Sequence, residues 1–248
     1  MPMSGRLLRP RQTGLSDPRT IAGLVAWYDG ADSSSMGPTS SGTGAVSNNG
    51  PVKFLSDKSG NGNHLTQTGA DSIAPSFVSS SLNGRSALSF DSADRLPRTG
   101  FTAIMNPPYS LFIVGRAISP TGTPRICGVA SNHSIGPFAN SNAKWGFFAS
   151  SGGAVLSFGG TATSPTILCL TVSAGLAASL YANGTLGTSA TLAAFTPLGF
   201  ALNDQAAGAG AGGNNVIYEC LSWSTVLSDA NRRSVTGFLS KKWGIAVT

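Results

Sequence analysis

NNVIYECLSWSTVLSDANRRSVTGFLSKKWGI, residues 214–245, is the stretch whose reading decides the fold. Val216, Tyr218, Cys220 and Trp223 fall in a run of strand-forming residues, with Gly/Asn before it and Ser-Thr after it, which predicts a strand. Ser228 then offers an N-cap, and Asp229 puts a carboxylate in the first turn of a helix. Val235, Phe238 and Leu239 recur three and four apart, giving that helix one apolar face. Lys241 and Lys242 stand at its C-terminal end, where the helix dipole favours positive charge. No other segment carries these signals together. A strand followed by a single terminal helix therefore closes a chain whose other apolar runs are short and strand-like.

Outward from that stretch, the apolar runs predict about ten strands. They are Ile21–Tyr28, Val52–Leu55, Ser86–Phe90, Tyr109–Arg116, Arg125–Ala130, Lys144–Ser150, residues 154–159, 166–173, 178–182 and 198–202, besides the final one. Asn183-Gly184 is the best hairpin signal, because both central positions of a type I′ turn need positive φ. Strands at this spacing in 248 residues suit one all-β domain, a two-sheet antiparallel jelly-roll sandwich with one C-terminal helix.

Charged residues are 10% of the chain, against about 25% in an average globular protein. The formal charge of +6 is concentrated in an extended basic arm at residues 1–20, with Arg6, Arg9, Arg11 and Arg19 opposed only by Asp17. The body, residues 21–248, is near neutral, so nucleic acid is not an expected partner. Leu7 and Leu8 give the arm an apolar grip that a purely solvated tail lacks, so Arg6, Leu7, Leu8, Arg9 and Arg11 are candidate anchoring residues. Cys127, Cys169 and Cys220, an odd number in apolar runs, read as buried free thiols. No Sec-type signal and no membrane span are expected.

Several motifs in order carry a resemblance. They are WYDGAD (27–32), DKSGNG (57–62), LNGRSALSFD (82–91), SLFIVGR (110–116), LYANG (180–184), VLSDANRR (226–233) and FLSKKWGI (238–245). Together, from Ile21 to Ile245, the chain resembles the LamG-like, concanavalin A-like jelly rolls. The resemblance implies two antiparallel sheets, one curved, with the helix packed at the margin, and a module that binds glycans, binds proteins or serves as a structural part. Such modules are frequent in tailed-phage virion proteins. Leu55 departs from the pattern where relatives often have Trp, and His64 where they often have Asp.

The chemistry-bearing residues are few. Glycosidases of this fold use a Glu-x-Asp-x-x-Glu strand, with paired carboxylates flanking the scissile bond. Here Glu219 is the only glutamate and has no second carboxylate beside it. His64 and His133 both lie in Gly/Ser/Asn-rich stretches and read as surface loop residues. Residues 208–213 fit GxGxxG in form only, since a strand rather than a helix follows. Asp57 to Gly62 begins like a calcium loop, but its twelfth position is Thr68. It reads as a turn capped by Asp and Asn with Gly62 at positive φ, and as the alternative a calcium ion near Asp29, Asp32 or Asp57. No other cofactor is expected. Trp145 with Asn132 and Asn142 is the candidate sugar-binding set, a ring for C–H faces and amides for hydroxyls, while alternation assigns Phe147 to the core.

The expectation is then a non-enzymatic virion surface protein, a capsid decoration or head fibre or a tail-associated protein. Its jelly roll is displayed outward, the arm anchors it to a capsid or tail protein of the same virion, the assembly is a homo-oligomer, and a host-surface glycan is its candidate ligand. A free carbohydrate-binding lectin module and an atypical glycoside hydrolase are the alternatives.

Overall fold

The computed structural model describes residues 17–101, 103–119, 125–130, 133–138, 144–150, 153–158, 161–204 and 212–248. Its strands are β1 (Leu24–Asp29), β2 (Met36–Gly37), β3 (Phe54–Leu55), β4 (Leu65–Thr66), β5 (Ser76–Leu82), β6 (Arg85–Phe90), β7 (Leu96–Thr99), β8 (Tyr109–Ser119) and β9 (Cys127–Ala130). They continue as β10 (His133–Phe138), β11 (Lys144–Ser150), β12 (Gly153–Phe158), β13 (Thr166–Val172), β14 (Ala177–Ala182), β15 (Thr185–Thr191), β16 (Gly199–Leu202) and β17 (Asn214–Trp223). A single α-helix, α1 (Asp229–Trp243), follows. Eight strands form one sheet in the order β15-β14-β13-β8-β17-β6-β5, with β1 also paired to β17. Six form the second, β12-β11-β10-β9-β16-β7, and β2-β3-β4 make a small third sheet. The pairings between named strands are antiparallel. The two-sheet sandwich with a terminal helix is thus the observed architecture.

Packing explains why β8 reads as an unbroken apolar run. Leu111 and Ile113 enter the main core between the sheets, with Leu168 and Leu170 of β13 and with Trp145, Phe147 and Phe200 from the six-stranded sheet. Phe112 and Val114 point the other way, into a second core under α1 that holds Trp27, Tyr218, Trp223, Val235, Leu239 and Trp243. A strand covered on both faces has no polar side to show. Burying Val235 or Leu239 contributes roughly 1.5–3 kcal/mol each, which fixes the helix to the sheet.

The helix is capped as the sequence predicts. Ser228 Oγ accepts the Asn231 N–H at 3.3 Å, and Gly244 ends the helix at φ 66° with its N–H on Ser240 O. Asn183 and Gly184 (φ 49° and 90°) turn β14 into β15 as expected. Asn83 and Gly84 (φ 50° and 73°) make the same turn between β5 and β6. The three cysteines are buried free thiols.

β17 is the central strand. Ile217 faces Gly115 and Glu219 faces Val114, so Tyr218 is an extra residue, a β-bulge. The bulge lets Tyr218 and Glu219 both point to the helix side while Ile217 and Cys220 point into the sandwich. Gly30 donates its N–H to Tyr218 O at 2.8 Å, and a Cβ there would lie 2.6 Å from that oxygen, so no larger residue fits.

Candidate functional site

Buried carboxylates with compensated charge account for most of the acids that stand out in the sequence. Glu219, 1% exposed, accepts Trp27 Nε1 at 2.7 Å and Trp243 Nε1 at 2.6 Å, and pairs with Lys242 Nζ at 2.9 Å. Lys242 also reaches Asp29 Oδ1 at 2.6 Å. Lys58 joins the other oxygen of Asp29, at 2.9 Å, to Asp32 at 2.7 Å. The result is one alternating chain of charge running from the helix-covered core to the surface. Burial raises the Glu219 carboxyl, with Lys242 opposing and the Asp29 charge adding. Burial would raise Asp29 as well, but Lys242 and Lys58 together outweigh it and hold the group below the usual carboxylate range.

Asp57 is engaged differently. Its Oδ1 accepts the backbone N–H groups of Trp27 and Ser59 at 2.9 and 2.8 Å, and its Oδ2 accepts Ser59 Oγ–H and Asn63 N–H at 2.7 and 3.0 Å. Lys58 N–H, Asn61 Nδ2 and Asn63 Nδ2 donate to the Trp27, Leu24 and Val25 carbonyls. The loop at residues 57–63 therefore covers the open edge of β1, with Gly60 and Gly62 at φ 92° and 71°. In the proposed calcium set, Asp29 and Asp32 converge on the Lys58 ammonium, and Asp57 faces backbone donors. No group of three or more His, Cys, Asp or Glu suited to a metal occurs among the described residues.

The sugar-binding set needs correction. Trp145 is 1% exposed in the sandwich core, so its ring is no surface for a glycan. The reason is the one applied to Phe147: positions 145, 147 and 149 share the inward face of β11. Asn132 and Asn142 lie outside the described residues, as do Arg6, Leu7, Leu8, Arg9 and Arg11. His133 is not a surface loop residue either. It lies buried at the start of β10, stacked on Phe195 at 3.9 Å, and burial lowers its pKa. His64, half-buried, accepts the Asp57 N–H at 3.0 Å.

A different acidic pair has no cation partner among the described residues. On the outer side of the eight-stranded sheet lies a cleft of about 260 Å³. Strands β5 and β6 bring Ser76, Ser89 and Phe90 to it, the turn after β6 brings Asp91 and Asp94, and β8 and β17 bring Ile118 and Asn214. The turn is held firmly. Asp91 Oδ1 accepts the N–H groups of Ala93 and Asp94 at 2.7 and 3.1 Å, and Asp94 Oδ2 accepts that of Asp91 at 2.8 Å. From behind, the fully buried Asn203, itself at φ 59°, donates to the carbonyls of Asp91 and Asp94 at 2.7 and 2.9 Å. Asn215 Nδ2 in turn holds Asn203 Oδ1 at 2.6 Å.

Asp94 is 7% exposed, yet no donor among the described residues reaches its Oδ1. Burial, reinforced by the Asp91 charge and opposed by the Asp91 N–H, pushes its pKa up to about 6. Arg95, the nearest basic residue in sequence, is directed to Asp204 at 3.8 Å. A buried, preorganised carboxylate with one uncommitted oxygen beside hydroxyls, an amide and an exposed Ile118 has the chemistry of a site for a polyhydroxylated ligand. The sequence reading missed it. The signal it carried was Asn83-Gly84, a second hairpin turn leading directly into LSFDSAD at residues 88–94.

No protein-family model and no curated protein matches this chain. Solved structures do share its fold. A Trypanosoma rangeli sialidase matches 90% of this chain and 33% of its own at a TM-score of 0.60 and 14% identity. The same enzyme in complex with sialic acid matches equally. Botulinum neurotoxin type C, whose cell entry is described as dependent upon interaction with two ganglioside molecules, matches 88% of this chain and 51% of its own at 0.53 and 10%. A botulinum neurotoxin serotype D/C binding domain gives 0.52 and 11%, over 90% of this chain and 53% of its own. Identities this low are a likeness of fold, and this chain spans a third to about half of the chains it matches. They overturn the expectation of a non-enzymatic protein: the same fold forms part of sialidase chains, and counting glutamates excluded one hydrolase pattern only.

Proposed function

We propose that this chain is a glycan-recognition domain, of the LamG-like kind its motifs resemble, and that the Asp91–Asp94 cleft is its binding site. The observation that carries the reading is Asp94, a largely buried carboxylate in a turn locked by Asn203, whose Oδ1 accepts from no donor among the described residues and faces the cleft. The fold neighbours support it, being sialidases and toxin chains with a ganglioside interaction in their description. Carboxylate and amide groups accept and donate to paired hydroxyls, while Ile118 offers contact to C–H faces. The test is an oligosaccharide array probed with the intact chain and with Asp94→Asn and Asn214→Ala. Binding that both variants weaken at least tenfold supports the cleft, and full binding in both removes it.

Hydrolysis at the same cleft is a second reading, favoured by the two carboxyls, Asp91 and Asp94, that line it. A carboxyl with a pKa of about 6 is poised as a general acid, as in glycosidases that pair one raised and one ionised carboxyl. Release of reducing ends from a bound oligosaccharide, lost in Asp94→Asn, would carry it. Virion display as a homo-oligomer, attached through residues 1–20, is a separate proposal motivated by the arginines of that arm. Unchanged particle incorporation after deletion of residues 1–20 would count against it.

A further inference from the structure

The cleft also indicates which glycans it admits, an inference that rests on the glycan-recognition reading above. We infer that it receives an uncharged sugar residue and discriminates against sialic acid and other carboxylated sugars. Among the described residues, both ionisable groups lining it are acids, Asp91 and Asp94, and no Lys, Arg or His lines it. Arg95 turns to Asp204, and β8 carries Arg116. Arg116 stands opposite Val216 on β17, two residues along β8 from Ile118, and is not itself among the lining residues.

A neutral hexose meets these groups well. A pair of adjacent hydroxyls can donate to the open oxygen of Asp94, and Asn214 can donate and accept. Ser76 and Ser89 hydroxyls serve in either role, and the half-exposed Ile118 packs on ring C–H groups. A sugar carboxylate in the same place would set like charges together beside a buried acid, with no cation among the described residues that line the cleft to offset them. Such a clash is a specificity device in its own right. The inference thus denies this chain the ligand of one of its fold neighbours, the sialidase in complex with sialic acid.

The experiment compares one neutral oligosaccharide with the same oligosaccharide capped by sialic acid, each titrated calorimetrically against the full chain at pH 7.5. The neutral form should bind at least tenfold more tightly, about 1.4 kcal/mol. Asp94→Asn should narrow that ratio, and Asn214→Ala should weaken the neutral form alone. Equal or tighter binding of the sialylated form, lost in Asn214→Ala, overturns the charge discrimination and leaves the cleft as the site. Binding of neither form at millimolar concentration overturns glycan recognition itself, and the discrimination with it. Circular dichroism of both variants establishes that they are folded. Should Asp94→Asn fail to fold, Asp91→Asn takes its place in the same ratio.

Discussion

Asp29, the last residue of β1, and Asp94, in the turn after β6, are both buried aspartates at the ends of strands of the same sheet, and they differ in what faces them. Asp29 has an ammonium on each oxygen, from Lys242 and Lys58. Asp94 has a backbone N–H on one oxygen and no donor among the described residues on the other. The first is held below the usual carboxylate range and the second is pushed up to about 6. Burial acts in the same direction on both, so the partner decides the outcome. A compensated buried charge fastens the helix to the sheet, whereas an uncompensated one in a cleft keeps its hydrogen-bonding capacity for a ligand.

The largest effect is expected where compensation is removed. Lys242→Ala leaves Glu219 and Asp29 buried with only Lys58 nearby, and should cost about 3–5 kcal/mol in urea unfolding. A Glu219→Gln/Lys242→Met double variant removes both charges and keeps an acceptor for one of Trp27 and Trp243, with the amide NH2 against the other. It should still recover part of that loss, because taking away a pair costs less than orphaning one member. A double variant as unstable as the single one would show that packing under α1, and not charge, sets the value. The same Lys242→Ala variant should leave the cleft's affinity unchanged in the fraction that remains folded.

Asp94→Asn should act the other way. A carboxyl whose pKa is about 6 when folded and near 4 when unfolded contributes stability below about pH 4 that is lost as pH rises through 6. Asparagine keeps the acceptor for the Asp91 N–H and carries no charge, so the variant should gain stability at pH 7, on the order of 2 kcal/mol at most. Its unfolding free energy should also lose the decline between pH 4 and 6. Asp29 has the opposite sign, its contribution present at neutral pH and lost as pH falls through its depressed folded pKa. Stability profiles of Asp29→Asn and Asp94→Asn over pH 3–7 should therefore diverge in opposite directions from the parent, and parallel profiles would erase the contrast.

The two regions were unequally legible in the sequence. Helix α1, β8, β13 and β17 announced themselves because both their cores are apolar and their caps have specific chemistry. Strands β5 and β15, the two edges of the large sheet, went unread. SFVSSSL and TLGTSAT have too few buried positions to set a period, with every residue of β15 exposed or half-exposed. Pro97 hid β7, another edge, and Pro137 hid β10 within the smaller sheet. The cleft is built against the unread β5, so its residues could not be brought together beforehand. Trp145 failed for a different reason. An aromatic beside asparagines suits both a sugar face and a core, and only strand register separates them. Glu219 had no sequence signal at all, because a one-residue bulge at Tyr218 turned it under the helix.

The smallest effect sharpens the comparison at its outer end. Lys58 closes the charge chain between Asp29 and Asp32, but its side chain is 27% exposed and that of Asp32 is 30% exposed, against 14% and zero for Lys242 and Glu219. Water can replace the Lys58 ammonium on Asp32, and Lys242 still holds Asp29. Lys58→Ala should therefore cost about 0.2–1 kcal/mol, mostly through Asp29, and the loss should shrink as salt is raised from 0.05 to about 0.5 M. Part of any remainder is the ammonium 5.2 Å from the Trp27 ring centroid, which salt screens less. A loss near that of Lys242→Ala would mean the whole chain of charge acts as a single buried unit. A small, salt-sensitive loss would place the boundary between structural and solvated charge at Asp29 itself.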